Sequence, residues 1–327
     1  GTPQAQTSEE EGRHTLGIYL GATFKLDQKA EHIRRARAFV GGVGIHRLYL
    51  DGLPVGRQIL GPAQSDYRKR VLYDVMALDS LLANQEESEH ELSLFLGNGR
   101  HIPLYGFGKP RGWVLVLIEY KDGSRQWIPS DSSWKVLSGP IRENSLFNGE
   151  VFDSRIPLGS VQEKSQAVVE VVGPYPLQAS SCPPISIDRA IRARKMWKTE
   201  DGYIYDFGQN FSGFVRLQGH QPTGTRLTMA FAELVDAEGN LNASSNRKAR
   251  AVDTYICNGA SIDWHPVSTY HGFRYVLLRG YEGAPDLQTL TALFIHTETR
   301  EKGTFTCSHD GLNRVHEAVR WGLLSNM

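Results

Sequence analysis

Residues 45–55 read IHRLYLDGLPV, two apolar runs that meet at Asp51-Gly52. An Asp-Gly pair takes up the positive φ angles of a two-residue turn at little steric cost, so the stretch predicts a tight β-hairpin. Strand alternation then puts Leu48 and Leu50 on one face, with Tyr49 and Asp51 opposite. The same texture extends in both directions. Residues 36–41 (ARAFVG) alternate small or apolar positions with arginine, and residues 90–96 (HELSLFL) point Leu92, Leu94 and Leu96 one way. Residues 113–120 (WVLVLIEY) form an apolar run rich in β-formers and too short to cross a membrane. Lys121-Asp122-Gly123-Ser124 turns that run back into RQWIP, which predicts a second hairpin.

The pattern changes at residues 173–184 (GPYPLQASSCPP), where four prolines and weak periodicity suit a linker. Strand signals resume at 203–207, 213–217, 225–232, 253–257, 273–279 and 290–296. Short strands with regular turn signals predict an all-β chain of two consecutive β-sandwich, jelly-roll-like domains. The last twenty residues (SHDGLNRVHEAVRWGLLSNM) depart from this, because Leu312, Val315, Val319 and Leu323 recur at spacings of three and four. That is the period of an amphipathic helix, with Ser308 read as its N-cap and Asp310 in its first turn. A helix with one apolar stripe needs a surface to pack on, either the second sandwich or a further domain. The expected organisation is a loose polar tail at 1–15, a first sandwich at 16–177 and a linker at 178–187. A second sandwich at 188–305 and a helix at 306–327 complete it.

Lys+Arg and Asp+Glu number 36 each, so the formal charge is zero. A neutral chain lacks the basic footprint expected for nucleic acid, and no apolar stretch is long enough for a membrane helix. No charged-then-apolar leader follows Gly1, so the expectation is a soluble protein of undetermined compartment. Cys182, Cys257 and Cys307 are odd in number and widely spaced, and are read as buried or free thiols. No metal-ligand spacing occurs, and no cofactor is expected.

Several ordered segments resemble the front half of α-L-rhamnosidases of glycoside hydrolase family 78. In the first module they are ARAFVGGVGIHRLYLDGLPVG (36–56), GPAQSDYRKRVLYDV (61–75), LFLGNG (94–99) and KDGSRQWIPSDSSWKVLSGPI (121–141), followed by FNGEVFDSR (147–155). In the second they are YDFGQNFSGFVRL (205–217), GTRLTMAFAELVDAEGNL (224–241) and STYHGFRYVLLRG (268–280), and TFTCSHDGLNRVHEAVRWGLLSNM (304–327) resembles the entry into that family's helical barrel. The resemblance implies two β modules that precede an (α/α)6 catalytic barrel, which hydrolyses terminal α-L-rhamnosides with inversion. It places the family's acidic catalytic segment beyond Met327. The leading expectation is therefore a non-catalytic portion that supports the barrel of the same polypeptide and contacts a rhamnosylated glycan or glycoside. Two alternatives stay open: a stand-alone carbohydrate-binding protein, and a small complete hydrolase with its site between the sandwiches.

Inverting glycoside hydrolysis needs one protonated and one ionised carboxyl group separated by about 6.5–9.5 Å. Glu150, Asp153, Asp206, Glu233, Asp236 and Asp253 lie in the quoted segments, but spacing pairs no two of them on a cleft, so no catalytic residue is assigned. Asp206, Gly208, Asn210, Glu233 and Arg274 form a structural motif in which Asp206 or Glu233 is expected to pair with Arg274. The Asp-Phe-Gly at 206–208 lacks the other kinase segments. Trp127, Trp134 and Trp264 flank turns and are the candidates for stacking on a pyranose ring. His265, His271 and His296 are read as structural.

Overall fold

A computed structural model of the chain describes residues 17–83, 88–100, 111–158, 160–166 and 176–327, so the tail expected at 1–15 lies outside the described residues. The chain packs as two units, Gly1–Asn144 with Ile156–Cys182, and Ser145–Arg155 with Pro183–Met327.

The first unit contains β1 (Ile18–Lys25), β2 (Ile33–Val43), β3 (Ile45–Leu50), β4 (Leu53–Pro54), β5 (Val71–Ala77) and the short α1 (Asp79–Ala83). It continues with β6 (Glu89–Gly97), β7 (Arg111–Tyr120), β8 (Arg125–Pro129) and β9 (Lys135–Ser138); after β10 (Ile141–Ser145) the chain enters β11 (Gly149–Asp153), which belongs to the second unit, and returns for β12 (Ser160–Gln166) and β13 (Leu177–Ala179). One sheet has the order β12-β9-β1-β6-β3-β4 and the other β13-β5-β2-β7-β8. Asp51 (φ 51°) and Gly52 (φ 77°) form the predicted left-handed turn, which sets Leu50 opposite Leu53. The second hairpin forms where it was expected, with Leu117 opposite Trp127.

Alternation explains the packing of this sandwich. Leu48 and Leu50 from β3, and Leu92, Leu94 and Leu96 from β6, meet Ala36, Ala38 and Val40 from β2 in one core. Val114, Val116 and Ile118 from β7 complete the opposite wall. Each of the leucine, valine and isoleucine side chains contributes on the order of 1.5–3 kcal/mol when buried. Within the proline-rich stretch, Leu177–Ala179 pair in parallel with Val71–Tyr73 of β5.

The second unit begins with β11 and resumes with β14 (Ile185–Arg192), β15 (Lys195–Thr199), β16 (Gly202–His220) and β17 (Arg226–Ala232). After the small hairpin β18 (Leu234–Val235) and β19 (Leu241–Asn242) come β20 (Val252–Ile256), β21 (Ser261–Trp264), β22 (His271–Arg279) and β23 (Leu290–Thr297). From β11 the sheet runs β11-β20-β17-β22-β16-β23-β14, and β15 and β21 also pair with β16. β16 is 19 residues long; its first part pairs with β15 and β22, and its later part with β23 and β21. Phe207, Phe211, Phe273 and Phe294 fill the core that this curved sheet encloses.

The terminal helix α2 runs Asp310–Ser325. Its N-cap is His309 and not Ser308, because the His309 ring nitrogen Nδ1 accepts the Leu312 N–H at 3.3 Å. Asp310 does lie in the first turn. The helix docks on the second unit's own sheet through buried Leu324 and through Trp321, whose ring lies 4.9 Å from Phe294. Its apolar stripe is not the docked face: Leu312, Val315, Val319 and Leu323 are 54, 60, 65 and 61 % exposed. No helix among the described residues is long and apolar enough to cross a membrane.

Candidate functional site

The motif residues converge where β16 loses register against β22, between Asp206 and Phe211. Phe207 and Phe211 both turn into the core, so the chain between them must bulge outward. Gly208 sits in the bulge at φ 75°, where a side chain would also strike Arg194. Asp206 closes it: Oδ1 accepts the Gly208 N–H at 2.7 Å and Arg274 Nε at 2.8 Å, and Oδ2 accepts Arg274 Nη2 at 2.9 Å. The Arg274 guanidinium holds the Asp206 carboxyl below its ordinary range. Arg274 therefore contacts Asp206, whereas Glu233 accepts the Asn210 side-chain amide at 2.8 Å.

Gln209 and Asn210, at the crest of the bulge, border a cleft of about 530 Å³ between β16 and α2. Glu233, Gly272, Arg314 and Trp321 form more of its wall. Asn210 and Glu233 are thus the two motif residues that reach the cleft, while Asp206 and Arg274 brace the strand behind it. The sequence reading missed the helix side of this feature. Trp321 and Leu324 fall about half a turn from the Leu312–Leu323 stripe, and that offset was the available signal.

The tryptophan candidates do not come together. Trp127 is 53 % exposed on the edge strand β8. Trp134 is 2 % exposed and donates Nε1–H to the Pro129 carbonyl at 3.2 Å. Trp264 is 8 % exposed and packs against Tyr255 and Phe152 at ring separations of 5.3 and 5.7 Å. Trp134 and Trp264 face inward at strand ends, so of the three only Trp127 offers an open ring.

Among the carboxylates, Asp153 pairs with Arg155, and Asp236 accepts the Asn240 N–H in its own turn. Glu150 and Asp253 form a buried cluster, each 0 % exposed. Asp253 Oδ1 accepts the Glu150 backbone N–H at 2.9 Å and faces His271 Nε2 at 3.1 Å. Glu150 Oε2 accepts the Val267 and Ser268 N–H groups and the Ser268 hydroxyl. Burial, aided by the neighbouring Asp253 charge, pushes the Glu150 carboxyl up to about 7. The shift has the size of a catalytic acid's, but a group sealed from solvent has no access to a glycosidic oxygen. Its role is architectural: it ties β11 to β20 and to the loop before β22.

Residues 31–189 match the family profile described as Alpha-L-rhamnosidase N-terminal domain, and residues 197–296 match Bacterial alpha-L-rhamnosidase concanavalin-like domain. An alpha-L-rhamnosidase of Streptomyces avermitilis is 31 % identical over 93 % of this chain and 31 % of its own length. One from Formosa agariphila is 28 % identical over 91 % of this chain and 34 % of its own. The alpha-L-rhamnosidase structure from Dictyoglumus thermophilum superposes with a TM-score of 0.89 at 36 % identity, covering 95 % of this chain and 36 % of that one. The Streptomyces avermitilis enzyme complexed with L-rhamnose gives a TM-score of 0.88 at 28 % identity, over 96 % and 32 %. The chain spans about a third of the length of the curated relatives it matches.

Proposed function

The chain belongs to the α-L-rhamnosidase family, and from that premise we propose that it is the non-catalytic β portion of a glycoside hydrolase acting on terminal α-L-rhamnosides. Its task is to seat a catalytic region of the same polypeptide. The observation that carries this is helix α2. Trp321 and Leu324 fix one side of it to the second sandwich, while four aliphatic residues in register remain more than half exposed on the other. A contiguous apolar stripe in water is costly and marks a contact surface. The span of about a third of each curated relative supports a larger polypeptide as the source of that contact. The carboxylates support it too, because Glu150 and Asp253 are sealed and Asp206 is bound by Arg274.

The test is a pair of charges on the stripe, Val315→Asp with Val319→Asp. In the chain by itself the stripe should drive self-association, and the double variant should sediment as a concentration-independent monomer. In the polypeptide extended past Met327 the same variant should lose several degrees of melting temperature, because it places two carboxylates against an apolar seat. Unchanged sedimentation of the chain together with an unchanged melting temperature of the extended protein would refute the proposal.

A further inference from the structure

The cleft beside α2 is distinct from the stripe. Successive helical residues turn by about 100°, so Trp321, nine residues after Leu312, lies two and a half turns on and faces the opposite way. Arg314, Ala318 and Ser325 share Trp321's side and line the cleft. A partner seated on Leu312, Val315, Val319 and Leu323 therefore leaves the Trp321 side of the cleft to another occupant, with Gly322, about 20° from the bearing of Val315, at the boundary between the two.

Two glycines hold the cleft open. A Cβ added to Gly272 of β22 or to Gly322 of α2 would meet nothing within 4 Å, and neither residue has a positive φ. Glycine inside a strand or helix costs stability relative to alanine, and here no turn or close approach demands it. What the two absent side chains provide is room.

The polar groups around that room have capacity to spare. The Arg314 guanidinium makes no ion pair or hydrogen bond among the described residues. Ser325 Oγ is buried and has no partner among them. Glu233 Oε1 accepts from Asn210 and Glu317 Oε1 from Arg320, and the lone pairs left on both carboxylates remain for further donors. A ligand must both donate to carboxylates and accept from a guanidinium. A net anion meets Glu233 and Glu317, a net cation meets Arg314, and an apolar ligand strands all three. Hydroxyl groups satisfy both demands, the partly buried Trp321 supplies an apolar wall, and about 530 Å³ is within the range of small-molecule sites.

We propose that this cleft binds a single neutral, hydroxyl-rich pyranose, held by Arg314, Glu233 and Glu317 in the space left by Gly272 and Gly322. The preference for a neutral polyol rests on the lining; the choice of L-rhamnose as first probe rests on the rhamnosidase reading. The chain is titrated by calorimetry with L-rhamnose, with D-mannose and with D-glucuronate as the anionic comparator. The expected result is saturable binding of L-rhamnose and none of the uronate. Gly272→Thr, Gly322→Leu and Arg314→Met should each weaken it at least tenfold without lowering the melting temperature. If D-mannose binds with the same sensitivity to these variants and L-rhamnose does not, the site stands and the rhamnoside reading falls. No saturable binding of either neutral sugar, or binding that all three variants leave unchanged, overturns the site.

Discussion

Replacing Asp253 with alanine is expected to lower the melting temperature of the second unit by roughly 10 °C or more. Asp253 is fully buried, and one oxygen serves both the Glu150 backbone N–H and His271. Alanine takes the acceptor away from both groups and opens a small void. Each unsatisfied buried polar group costs on the order of 1–3 kcal/mol, and breaking a buried charged cluster about 3–5 kcal/mol in all. For a unit of this size each kcal/mol corresponds to about 2–4 °C. Asn at 253 keeps an acceptor oxygen for the same groups and should lose less than half as much. His271 also stacks on Phe231 at 4.2 Å, so the damage should spread into β17. Differential scanning calorimetry of the two variants checks this; equal melting of D253A and the parent chain would remove the cluster from the account of the fold.

The second large effect is on pH dependence. Glu150 has an ordinary carboxyl value of 4.5 and is raised to about 7 in the fold, chiefly by burial. The folded state therefore binds its proton more tightly than the unfolded state. The stabilisation is fully present below pH 4.5 and is lost as pH rises through about 7. Its upper limit, from a shift of about 2.5 units, is about 3 kcal/mol. Asp206 and Asp263 of the same unit are lowered instead, so their stabilisation is lost only in acid and does not offset the trend near neutrality. Stability of the second unit should fall between pH 5 and 8, and Glu150→Gln, which keeps an acceptor for Ser268, should flatten that slope. Urea midpoints across the range decide the matter: parallel curves for the parent chain and E150Q mean that Glu150 is not the group responsible.

The sequence carried the local half of the structure. Period-two alternation marked Leu48, Leu50, Leu92, Leu94 and Leu96, and Asp51-Gly52 marked its turn, because strand faces and positive-φ turns are written in neighbouring residues. The quoted segments offered Asp206 or Glu233 as the partner of Arg274, and nothing in their spacing chooses between the two; the fold does, by setting Arg274 against Asp206. Pairing of β11 with β20 joins residues about a hundred positions apart, and the sealed Glu150–Asp253–His271 cluster depends on it. Turn-flanking position was a poor guide for Trp134 and Trp264, since both side chains fold inward beside their turns. For α2 the periodicity located the helix but not its docked side. The four residues of the stripe are the exposed ones, and Trp321 with Leu324, about half a turn away, makes the contact.

That division of α2 into two faces, one bound to the second sandwich and one bare, is the structural core of the assignment. Hydrolysis of an aryl α-L-rhamnoside, by the chain alone and by the polypeptide extended past Met327, tests it most directly. The predicted result is turnover by the extended polypeptide and none above the blank by the chain. Turnover by the chain alone, abolished by changing one of its own carboxylates, would contradict it.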